Sequence, residues 1–107
     1  MKRSGRVIFA GALFGWSHVH AQEVGEPLAG LALAREACGT CHSVLPRQQS
    51  PNRQAPSFEQ IASVPGMTPL ALTVALQTPH KTMPNVMLDP KELRDLGAYI
   101  ASLGNSP

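Results

Sequence analysis

Large aromatic side chains are scarce in this 107-residue chain, which has one tryptophan, one tyrosine and three phenylalanines. Cysteine is equally sparse, with Cys38 and Cys41 the whole supply. Two thiols cannot furnish a four-ligand zinc site, and the histidine His80 is the sole further downstream candidate. Strand-like alternation is also missing, which removes the βαβ setting that a thioredoxin-like dithiol requires. No apolar run is long enough to serve as a permanent membrane anchor. The excess of basic charge is local, because three of the nine Lys and Arg lie within the first six residues.

Those basic residues, Lys2, Arg3 and Arg6, precede an apolar run from Val7 to Trp16, and Val19-His20-Ala21 ends in small residues. The pattern predicts a secretory signal peptide over residues 1–21, cleaved after Ala21, with one domain over 22–107. Cleavage leaves six basic residues against seven acids, a net charge of −1, so no nucleic-acid partner is expected. It also removes Trp16, Phe9 and Phe14, so Phe58 and Tyr99 are the only aromatics of the mature chain. A core that poor in large side chains is marginal at this size, where small domains lean on a staple or a cofactor. Export to the periplasm is the expected localisation.

Both cysteines fall in Cys38-Gly39-Thr40-Cys41-His42. Residues three apart share one face of a helical turn, so both thiols can reach one edge of a porphyrin and form thioethers, with His42 beneath the iron. C-x-x-C followed directly by His is the pattern of covalent c-type haem attachment. One haem c is therefore the expected cofactor, and buried porphyrin would supply the apolar mass that the aromatics do not.

Helix signals are clear elsewhere. Pro27 can open a helix that runs over 27–39 into the haem motif, with Gly30 an oddity costing about 1 kcal/mol against Ala in mid-helix. Gln22 to Glu26 is expected to fray. Pro46, Pro51 and Pro56 make 43–57 an irregular loop. Ser57 and Gln60 form a capping box for a short helix over 58–63. Thr68 caps a helix opened by Pro69 and stopped by Pro79. After an irregular stretch over 80–88, Asp89 and Glu92 box the last helix, whose apolar positions Leu93, Leu96, Ile100 and Leu103 share a face. Gly104 ends it. The prediction is an all-α fold of about four helices.

Taken together, Gly30, CGTCH, the APSF segment at Ala55 to Phe58, the TMPN segment at Thr82 to Asn85 and the final LRDLGAYIASL resemble the single-haem class I cytochrome c family over nearly the whole mature chain. The resemblance implies a cytochrome c fold wrapped round one covalent haem, with the N- and C-terminal helices crossing where Gly30 and Ala34 meet Leu96 and Tyr99. It also implies that the Pro56 carbonyl bonds the outer nitrogen of the proximal His42. The chain departs from mitochondrial-type members in lacking a mature tryptophan, so that Arg53 or Gln60 would serve a haem propionate. It also lacks the ring of lysines, since only Lys81 and Lys91 remain.

For the sixth ligand, Met83 sits before Pro84, away from helical geometry, and matches the family's Met-Pro ligand. His80 is its rival, while Met67 and Met87 read as flexible fillers. The resemblance implies a periplasmic electron carrier with His42/Met83 ligation, not an enzyme by itself, exchanging electrons with a donor dehydrogenase and an acceptor cytochrome or oxidase. The alternative is the cytochrome subunit of a periplasmic dehydrogenase containing molybdenum, quinone or flavin. A third reading, a gas sensor or peroxidase with an open iron site, requires Met83 not to ligate.

Overall fold

A computed structural model of the protein describes residues 24–104, with residues 5, 7, 8, 10–12 and 15 before them. The expected cleavage position after Ala21 lies outside the described residues. The architecture is all-α: four helices, and among the described residues no strand beyond an isolated bridge between His80 and Met83. No described helix is long and apolar enough to cross a membrane.

Helix α1 spans Pro27–Ala37, α2 Phe58–Ala62, α3 Pro69–Gln77 and α4 Pro90–Gly104. Three of the expected start signals operate as hydrogen bonds. Ser57 Oγ accepts from Gln60 N–H at 3.1 Å while Ser57 N–H donates to Gln60 Oε1 at 2.9 Å. Asp89 and Glu92 make the equivalent pair at the head of α4, at 2.8 and 2.9 Å. Thr68 Oγ1 accepts from Ala71 N–H at 3.1 Å.

Helix α1 starts at Pro27, as expected, and is anchored differently from the other three. Its N-cap residue Glu26 contributes no side-chain bond; instead the Glu26 backbone N–H donates to Asp95 Oδ1 of α4 at 2.7 Å. Of the stretch expected to fray, Gln22 and Glu23 lie outside the described residues, while Gly25 and Glu26 are pinned: a Cβ on Gly25 would lie 2.0 Å from the Arg94 carbonyl oxygen. The end of α1 differs from expectation, stopping at Ala37 rather than 39. Gly39 and Thr40 are weak helix formers, and the chain turns there, with Cys41 and His42 N–H groups both donating to the Cys38 carbonyl at 3.2 and 2.9 Å.

Helix α4 is the hub, because α1, α2 and α3 each pack against it. Its predicted apolar face is the buried one: Leu93, Leu96 and Ile100 are buried, with Leu96 only 1% exposed. Ala34, Cys38, Val44, Phe58, Leu72 and Tyr99 form one buried cluster with Leu96 and Ile100. Burial of each such Leu or Ile is worth about 1.5–3 kcal/mol. Gly30 sits where α1 crosses α4. An added Cβ there would lie 2.0 Å from the Asp95 carbonyl oxygen and 2.8 Å from Tyr99 Cβ, so the backbones approach as only glycine allows. The expected partner Tyr99 is present at this crossing, and Asp95 rather than Leu96 supplies the nearest atom to Gly30.

Candidate functional site

At the C-terminal end of α1 the thiol groups of Cys38 and Cys41 are both unpaired, the first buried and the second half-buried. One residue on, His42 Nδ1 lies 2.6 Å from the Pro56 carbonyl oxygen. A carbonyl only accepts, so Nδ1 carries the proton and the lone pair of Nε2 is left available for a metal. The loop between them folds back on the motif. Asn52 N–H donates to the Cys41 carbonyl at 3.2 Å, Ser43 N–H to Ser50 Oγ at 3.0 Å, and Phe58 N–H to the Ser43 carbonyl at 2.9 Å. The Phe58 ring sits against the His42 imidazole, centroids 5.5 Å apart and planes inclined at 48°. Behind it, Tyr99 is 6.5 Å from Phe58 by the same measure, and its hydroxyl donates to the Val44 carbonyl.

Met83 lies elsewhere in the fold. After Pro79 the chain makes a tight turn, His80 to Met83, closed by the backbone bridge between those two residues. Met83 is half-buried and lines a hollow of about 300 Å³ with His80, Leu76, Leu88 and Leu93. Met87 also edges this hollow but is 93% exposed, so it fills no core gap. Cys38, Cys41, His42 and Pro56 are therefore brought together as one group, and Met83 with His80 as another. The Met83 hollow includes none of the first group.

Arg53 and Gln60 both border a third feature, a polar cleft of about 360 Å³ walled by Gln48, Gln49 and Ser50. Gln60 Oε1 is already engaged by Ser57 N–H. The loop on this side is held by an unusual residue: Arg47 adopts φ of 58°, in the left-handed region, and its N–H donates to Glu59 Oε2 at 2.8 Å.

Electrostatics around the site follow burial. Desolvation pushes the Cys38 thiol above its ordinary value, so this group stays protonated at neutral pH. Burial likewise raises Tyr99, with Arg35 pulling weakly the other way. The lowered carboxyl is Asp95, held down by the Glu26 N–H and by Lys91.

Comparison with protein-family models, with curated proteins and with solved structures finds no match. The residues alone must therefore say what they fit. Among the described residues no group of three or more His, Cys, Asp and Glu side chains is placed to hold a bare metal ion. A haem makes no such demand, because the porphyrin furnishes the equatorial nitrogens and the protein needs only axial donors and thiols. Two unpaired thiols, an imidazole with its outer nitrogen tied down, and a methionine lining a separate hollow are the donor types that a c-type haem takes.

Sequence reading did not see Phe58 against His42, the Ser43 to Phe58 bond, or the Tyr99 to Val44 bond. Only the scarcity of aromatics hinted that Phe58 and Tyr99 would share one cluster.

Proposed function

We propose that this chain is a periplasmic electron carrier of the single-haem class I cytochrome c type, exported by the leader at residues 1–21. The observation that carries the reading is the 2.6 Å approach of His42 Nδ1 to the Pro56 carbonyl, one residue after two unpaired thiols. An imidazole held in this way presents Nε2 in a set orientation. Cys38 and Cys41 would hold the haem as thioethers, and His42 and Met83 would be the axial ligands, with His80 as Met83's rival. The bound group supplies a one-electron Fe(III)/Fe(II) couple. With His42 and Met83 both engaged, the iron would offer oxygen and substrates no place to bind, so the protein's work would be to hold, orient and shield. Helices α1 and α4 and the loop over 43–57 would form the cytochrome c wrap.

Electrons would leave by the edge near Cys38 and Cys41, through a small interface of under about 1,200 Å² with redox proteins. The net charge of −1 after cleavage gives long-range attraction to a charged partner little to work with, so association should fall only weakly as salt rises.

The test is an absorption spectrum of the exported protein in both redox states, including the weak ferric sulfur-to-iron band. A colourless, folded protein with two free thiols would overturn the reading. Loss of that band in Met83→Ala, with the haem retained, is expected; an unchanged spectrum and midpoint potential would remove Met83 as ligand and leave His80.

A second reading has an observation in its favour. Residues 60–79 contain no charged side chain, and on α3 Leu70 and Val74, one turn apart, are 68% and 57% exposed. The hydroxyls of Thr73 and Thr78 turn back to carbonyls of their own segment at 2.9 and 2.7 Å. Such a face suits lasting apolar contact, as in the cytochrome subunit of a periplasmic dehydrogenase. Recovery from the native host as a stoichiometric complex with a larger subunit would favour this reading, and recovery as free monomer would oppose it.

A further inference from the structure

The peptide unit between Pro56 and Ser57 is hydrogen-bonded at both ends. Its carbonyl faces His42 Nδ1 at 2.6 Å, and its N–H donates to Gln60 Oε1 at 2.9 Å. No peptide bond of the described chain is cis, so the two groups point in opposite directions across one planar, conjugated amide. Donation by an amide N–H shifts electron density toward its own carbonyl oxygen, which becomes the better acceptor. Linked hydrogen bonds strengthen one another by about 10–30% each through this polarisation. Gln60 N–H donates back to Ser57 Oγ at 3.1 Å, which fixes the residue whose side chain accepts. The next residue is fixed too, since Phe58 N–H donates to the Ser43 carbonyl at 2.9 Å. The orientation of the Gln60 amide is settled by chemistry: a backbone N–H must meet its oxygen.

We propose that Gln60 is a positioning residue for His42, acting through the Pro56–Ser57 peptide to orient the carbonyl and set the strength of its bond to the imidazole. The proposal deepens the cytochrome reading and rests on His42 being the proximal ligand. A stronger bond at Nδ1 gives the imidazole more anionic character, which favours ferric over ferrous iron and lowers the midpoint potential. The capping box is thus more than a helix start: its acceptor adjusts the iron from the far side of an amide.

Gln60 is exposed, so its substitution leaves the core untouched. Two variants of the exported holoprotein should move in opposite directions. Gln60→Met keeps helix propensity and removes the acceptor; the His42 Nδ1–H resonance should move upfield, its exchange with solvent should quicken several-fold, and the midpoint should rise. Gln60→Glu offers a stronger acceptor, and all three readouts should reverse. Gln49→Glu puts the same charge on the same cleft without a bond to Ser57, and Thr68→Ala removes a helix cap of similar geometry elsewhere. Neither should move the resonance. If Gln60→Met leaves the resonance and its exchange unchanged, or Gln49→Glu matches Gln60→Glu, the inference is overturned. If the protein proves to lack haem, the electron-carrier reading falls separately, while the Nδ1–H resonance of the folded chain still decides whether Gln60 acts on His42.

Discussion

Replacement of Gly30 by alanine sets two effects of known size against each other. In an exposed helix interior the change would stabilise the protein by about 1 kcal/mol, through propensity alone. At the α1–α4 crossing the new Cβ would stand 2.0 Å from the Asp95 carbonyl oxygen, 2.6 Å from its carbon and 2.8 Å from Tyr99 Cβ. Two of these three atoms are backbone in the middle of α4, so no rotamer relieves the clash and the helices must part by about 1 Å or more. Overpacking of this kind costs about 1–3 kcal/mol, and a gap of 0.5–1 Å forfeits a quarter to a half of the dispersion along the seam. The Glu26 N–H bond to Asp95 lies on the same seam and would lengthen with it. A 2.0 Å approach to backbone belongs at the upper end of that range, so the clash wins, with a net loss of about 2 kcal/mol. For a domain of this size that lowers Tm by roughly 4–8 °C per kcal/mol. Thermal and urea unfolding of the exported protein would measure it, with Ala29→Gly at an exposed position of the same helix calibrating the propensity term. A Gly30→Ala protein as stable as the parent, or more so, would refute the close crossing of the two helices.

Further outcomes follow from the same contacts. Asp95 is held below its ordinary value of 3.8, first by the Glu26 N–H and then by Lys91. A depressed carboxyl adds stability above its unfolded value that is lost as pH falls through the folded one. Melts taken from pH 5 downward should lose stability, and Asp95→Asn should flatten that slope; an unchanged acid limb would count against the Glu26 contact. Tyr99→Phe strands the buried Val44 carbonyl without its donor, and should cost about 1–3 kcal/mol in urea unfolding. A neutral result would mean that water or another donor takes over.

Much of the helical plan is legible along the chain because its signals are local. Ser57 with Gln60, Thr68 with Pro69, and Asp89 with Glu92 each satisfy backbone donors within three residues of themselves, so their chemistry does not depend on the rest of the fold. The period of Leu93, Leu96 and Ile100 likewise marks a buried face before any partner is known. CGTCH stands out for the same reason, as two thiols and an imidazole within five residues, and the haem it would take is a proposal resting on that pattern.

Contacts between distant segments are of another kind. That Glu26 would borrow a carboxylate from residue 95, that Gly25 would rest on the Arg94 carbonyl, and that Phe58 would stand against His42 depend on how helices meet. No spacing encodes these contacts. The mid-helix Gly30 announces that something comes close, and only the packing of α1 on α4 says it is the Asp95 carbonyl. The Gln60 capping box is visible in the residues, but its reach to His42 exists only because the loop over 43–57 folds back and turns one shared peptide toward both. Short-range hydrogen bonding is written in order along a chain; the meeting of segments far apart in it is settled by burial and close packing.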